Sequence, residues 1–145
     1  MNRTMLAKAT TIDLEKYIGI WHQLAAFPAW FQRGCSDVTA TYKKVKDYIS
    51  VFNACYYKNN IKSTAFGKAI PYSKNVLKVS FFPLVSADYI IEFVDKNYQY
   101  AVVGSTEKKY LWILSRKKKV PAIIYNELVG MAKRKGYDVS RLVKG

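Results

Sequence analysis

The chain has 145 residues, half of them hydrophobic and 15% aromatic, with a formal net charge of +14. That composition excludes a disordered chain, and no apolar run approaches the length of a membrane span. One His and two Cys without a CxxC spacing leave too few soft ligands for a metal set, so neither metal nor cofactor is expected.

The N-terminal stretch MNRTMLAKATTIDLEKY begins basic and holds no continuous apolar run, so a signal peptide is not evident. Cys35 follows Arg33-Gly34 and Cys55 lies inside a strand pattern, so neither stands in a lipoprotein cleavage context. The chain reads as cytoplasmic or as a trimmed mature form.

From residue 20 to residue 115 the sequence reads as strand after strand. The segments Ile20–Phe27, Asp37–Lys44, Tyr48–Tyr57, Ser63–Ile70, Val76–Phe82, Asp88–Val94, Tyr98–Gly104 and Tyr110–Ser115 are rich in Val, Ile, Tyr, Phe and Thr. Short breaks at Lys46-Asp47, Lys58-Asn59-Asn60, Pro71-Tyr72-Ser73, Asp95-Lys96-Asn97 and Ser105-Thr106-Glu107 imply antiparallel neighbours. The long exception is Pro28–Ser36. Such strands suit a sandwich or a barrel; local connections throughout favour an eight-stranded antiparallel up-and-down barrel, which leaves no exposed edge.

After the eighth strand the period changes. Ile123, Ile124, Leu128 and Met131 recur at helical spacing between Pro121 and Gly136. The expectation is an all-β single domain over 1–145, barrel about 20–115, with one C-terminal helix at about 121–135 packed outside.

In a meander, successive loops alternate between two ends. If the first strand begins at the base, Trp21 and Arg116 both lie there, on neighbouring strands of a closed barrel. Arg116 has the parity of Trp112 and Leu114; if that face is inward, its guanidinium crosses the barrel floor and stacks on the Trp21 indole. The same parity places Ala40, Tyr42, Ile49, Val51, Asn53, Cys55, Leu77, Val79, Phe81, Tyr89, Ile91, Phe93 and Trp112 around an apolar chamber with few polar groups. That is the chemistry of a lipophilic pocket. The competing expectation is that large side chains fill an eight-stranded interior. Arg33, Lys58, Lys108 and Lys109 fall toward the mouth, where they meet either solvent or an anionic headgroup.

Three motifs in order carry a family resemblance. Gly19-Ile20-Trp21 resembles the G-x-W opening of the lipocalins. Asp95-Lys96-Asn97-Tyr98 is similar to their acidic turn with Tyr, and Arg116 to their lone Arg after strand eight. The stretches VTATY, LKVSFF, YLWILSR and KGYDVSRL resemble the branch that holds the bacterial outer-membrane lipocalins, the plant temperature-induced lipocalins and apolipoprotein D. The resemblance implies a calyx for a small hydrophobic ligand, with fatty acids or lysophospholipids the usual candidates. It also implies structural roles at the base for Gly19, Trp21, Asp95, Tyr98 and Arg116. The mouth stretch Pro83–Asp88 departs from the Gly-rich loop of that branch.

The expected function is therefore non-enzymatic binding, transport or sequestration of a small hydrophobic ligand. The +14 charge supports an alternative, a basic module whose exterior meets an anionic membrane or, ranked behind it, nucleic acid. A third reading makes Cys55 a barrel nucleophile, but His22, the one His, starts the first strand near the base and is badly placed to activate it. Cys35 and Cys55 either pair or stay free. Both lie toward the mouth, three or four residues out of direct opposition, and the sequence leaves that choice and the oligomeric state open.

Overall fold

A computed structural model describes residues 6–9, 11–28, 35–81 and 85–144, with backbone alone for Phe81 and residues 85–87. The expected Arg33 and Phe82, most of the Pro28–Ser36 mouth stretch, and Pro83 and Leu84 of the Pro83–Asp88 stretch thus lie outside the described residues, as does the Phe81 side chain.

The eight strands form in the expected order. They are β1 (Gly19–Ala26), β2 (Asp37–Val45), β3 (Tyr48–Tyr57), β4 (Asn60–Ser73), β5 (Val76–Phe81), β6 (Val85–Val94), β7 (Tyr100–Ser105) and β8 (Leu111–Ser115). Each pairs antiparallel with the next, and β1 pairs with both β8 and β2, which closes the barrel. Toward the mouth a short β9 (Val143–Lys144) pairs with Ala25 and Ala26 on β1. A four-residue helix α1 (Leu14–Tyr17) precedes β1, and α2 (Ala122–Arg134) follows β8. No helix among the described residues is long and apolar enough to cross a membrane.

Turn chemistry explains the hairpins. Lys58 and Asn59 both adopt positive φ, 49° and 69°, the backbone of a two-residue turn whose twist matches its flanking strands. The break expected at Pro71-Tyr72-Ser73 is instead strand: β4 runs on to Ser73, and Lys74-Asn75 makes the turn. Pro71 fits because the ladder is irregular between Pro71 and Ser73, where a missing N–H costs little. Tyr98, expected to open strand seven, sits in the turn at φ 55°.

Two cores share the barrel wall. Inside, Trp21, Tyr42, Val51, Val79, Ile91, Val103 and Trp112 are buried together. Outside, α2 lays Leu128, Met131 and Ala132 over Val102, Leu111 and Ile113. α2 ends in a Schellman cap: Gly136 at φ 98°, its N–H bonded to Lys133 O and that of Tyr137 to Ala132 O. Bulges lie on the two strands that flank β7 and β8. The register shifts between Gln23 and Ala25 on β1 and between Ile91 and Phe93 on β6. Each reverses the alternation beyond it. Phe93, expected inside, therefore packs in the outer core, while Val94 takes the inner face.

Candidate ligand-binding site

The base is closed by backbone as much as by side chains. Asp13 caps α1 by accepting from Glu15 N, and this turn sets Tyr17 beneath the barrel, buried against Trp21 with ring centroids 5.1 Å apart. Trp21 Nε1 donates to Tyr17 O at 2.8 Å. The Arg116 guanidinium lies over the Trp21 ring, 3.8 Å from its centroid. It donates to five carbonyls: Tyr98 O through Nε, Ile20 O through Nη1, and Lys16 O, Tyr17 O and Ile18 O through Nη2. Burial lowers its pKa, and neighbouring Tyr17 and Asp95 oppose that shift. Gly19 is at φ 107°, and a Cβ there would stand 3.1 Å from Arg116 Nη1, so backbone and contact both favour glycine.

Asp95 works on the same floor. Its buried carboxylate accepts from Gln99 N at 2.8 Å, Tyr100 N at 2.7 Å and Asn97 N at 3.3 Å. The Tyr98 hydroxyl accepts from Asp13 N and donates to Thr11 O, tying the segment before α1 to the β6–β7 turn.

Above this floor is the cavity. It is lined by Gln23, Val38, Ala40, Tyr42, Asn53, Tyr89, Val103, Trp112 and Leu114. Ala40, Tyr42, Asn53, Tyr89 and Trp112 of the expected set meet here; Val51, Val79 and Ile91 lie buried in the inner core around them. Gln23, Val38 and Leu114 were legible by parity, since they share faces with Trp21, Ala40 and Trp112. Val103 was not, because Ala101, Val102 and Val103 are uniformly apolar. The cavity these side chains leave is only about 20 Å³. Side chains thus fill most of the described interior.

Aromatic rings lead from the cavity toward the mouth. Trp112 is 4.5 Å from Tyr89 and 5.6 Å from Tyr110, centroid to centroid, nearly parallel to the latter. Lys109 Nζ stands 5.6 Å from the Tyr110 ring. Lys108 turns instead to the Tyr137 ring beside α2, and Lys58 to Tyr57. The cavity hydroxyls are uncharged at neutral pH: burial pushes Tyr42 up to about 12, and burial also raises Tyr89 and, below them, Tyr17.

Cys55 is bonded to Cys35, with Cα atoms 5.4 Å apart. The β2–β3 register puts Asp37 opposite Tyr56, so the cysteines are three positions out of opposition. Cys35 precedes the ladder, and Ser36 turns the chain by bonding Tyr56 O through both N and Oγ. A nucleophilic role for Cys55 falls with this bond, since its sulfur is not a thiol. Among the described residues no group of His, Cys, Asp or Glu could hold a metal ion.

A family model described as a lipocalin-like domain matches residues 12–145. The chain belongs to the lipocalin family. Temperature-induced lipocalin-1 of Arabidopsis thaliana is 36% identical over 92% of this chain and 78% of its own length. Outer membrane lipoprotein Blc of Vibrio cholerae is 36% identical over 90% of this chain and 80% of its own. Among solved structures, lobster apocrustacyanin A1 superposes with a TM-score of 0.73 at 16% identity, covering 99% of this chain and 91% of that one. Lipocalins are generally non-enzymatic proteins that bind or carry small hydrophobic ligands, and this chain has their closed barrel, with one short strand and α2 outside.

Proposed function

We propose that this lipocalin binds and carries a slender single-chain amphiphile, of the fatty acid or lysophospholipid class, in its calyx without chemical change. The observation that carries the reading is the narrow apolar cavity, topped by the Tyr89–Trp112–Tyr110 ladder with Lys109 at its outer edge. A cavity this narrow favours an extended acyl chain over a fused-ring ligand. Ala40, Val51, Val79, Ile91 and Trp112 are the walls such a chain would touch. Asn53, Tyr42 and Tyr89 supply neutral hydrogen-bonding groups, and Lys109 a cation for a carboxylate or phosphate. Entry requires Trp112 and Tyr89 to swing aside, because a cavity of about 20 Å³ falls far below the roughly 300 Å³ of small ligand pockets.

Titration with a fluorescent fatty acid, following energy transfer from tryptophan, tests this. Saturable binding of one ligand per chain is expected, with most of the transfer lost in Trp112→Phe. Non-saturable uptake, or transfer unchanged in Trp112→Phe, would contradict it.

A further inference from the structure

The barrel exterior is not evenly charged. From Tyr48 to Ala87, which spans β3, β4 and β5, the chain carries Lys58, Lys62, Lys68, Lys74 and Lys78 and no Asp or Glu. The same strands leave large apolar side chains in solvent: Phe52 is 37% exposed, Phe66 58% and Ile70 54%. Register makes this one surface. Thr41, Phe52 and Phe66 form one cross-strand row; Lys43, Ser50, Lys68 and Ser80 form the next. Ile70 lies opposite Lys78. Asp88, opposite Lys78 on β6, is the acid at the margin.

We propose that this outer β3–β4–β5 face docks on an anionic phospholipid bilayer, laying the barrel on its side. Exposed Phe and Ile among lysines match the headgroup boundary, where rings and branched chains enter the acyl region and ammonium groups stay among phosphates. Two other occupants fit less well. A second copy using the same face would set lysines against lysines. A nucleic acid offers no hydrocarbon to receive Ile70. Phe52 and Phe66 meet edge to face at 64°, so the edge of one ring covers the face of the other on which a base would stack. The proposal stands apart from the cavity's ligand, since none of these side chains lines it.

The test is co-sedimentation of the full chain with phosphatidylcholine vesicles, with and without phosphatidylglycerol, across a salt series. The wild type is expected on the anionic vesicles alone, released as salt rises. The variant Lys43→Gln/Lys68→Gln/Lys78→Gln should lose partitioning by roughly a hundredfold, at about fivefold per lysine. Phe52→Ser/Phe66→Ser should also weaken it, while Lys117→Gln/Lys118→Gln/Lys119→Gln, on another part of the surface, should lose far less. Circular dichroism checks that each variant folds; if the Phe pair does not, the lysine variant decides. Equal losses in both lysine variants would mean diffuse charge attraction and overturn the proposal. So would wild-type binding by the face variants, or wild type that binds duplex DNA but not vesicles. Fatty acid titration through Trp112 should be the same in all folded face variants.

Discussion

At the scale of single residues, Arg116 differs from Lys117, Lys118 and Lys119 in what it touches. Its guanidinium satisfies five carbonyls and covers Trp21, whereas the described contact of the following side chains is a 3.8 Å pair from Lys118 to Asp37 at the surface. Arg116→Ala strips buried acceptors of their donor, and should cost about 3 kcal/mol in chemical denaturation. Replacing all three lysines by Gln should stay within about 0.5 kcal/mol, as surface pairs generally do. Arg116→Lys should not restore the loss, because a point charge lacks the planar fork that reaches several carbonyls. Tyr42 gives a second prediction. Its folded pKa lies above the unfolded value of about 10, so the folded state holds its proton longer. That stability is complete below pH 10 and is lost as pH climbs through about 12. Equilibrium melts should show the wild type losing roughly 2 kcal/mol more than Tyr42→Phe across that window.

At the scale of elements, the outer core depends on a glycine. A Cβ at Gly104 would fall 1.8 Å from the Tyr137 hydroxyl, which itself donates to Glu92 Oε2 at 2.8 Å. Gly104→Ala must therefore push the cap of α2 off β7, and should destabilise by about 2–3 kcal/mol. Tyr137→Ala in the same chain should remove much of that penalty, a coupling that a double-mutant cycle reads directly. Glu92 lies at the β6 bulge, so the irregularity that turned Phe93 outward also supplies the acceptor. The same bulge marks the limit of what the sequence discloses. Alternation along β3 and β5 placed Val51, Asn53 and Val79 because those strands keep period two over the residues concerned. An inserted bulge residue carries no compositional mark, so parity failed beyond Glu92. α1 is too short to show helical periodicity, and β9 too short to show alternation. The Trp21–Arg116 stack was legible because each lies at an end of its strand, where the meander's alternation of loops fixes the end reached. The disulfide was not decided by register, because Cys35 stands outside the ladder.

At the scale of the whole molecule, the fold separates its chemistry by surface. The interior is apolar, narrow and closed below; the exterior of β3 to β5 is basic and apolar together; α2 seals the opposite wall over β7 and β8. A slender amphiphile in the first and an anionic bilayer against the second would bring the calyx to the phase where such ligands partition. Everything at this scale turns on an occupied calyx. Native mass spectrometry of the full chain with a lysophospholipid and with a fatty acid reads that occupancy without a reporter group, beside Ala40→Trp, which fills the cavity from β2. One single-acyl molecule per wild-type chain is expected, and none on folded Ala40→Trp. An adduct retained undiminished by Ala40→Trp, or absent from the wild type with either ligand, would refute the occupied calyx.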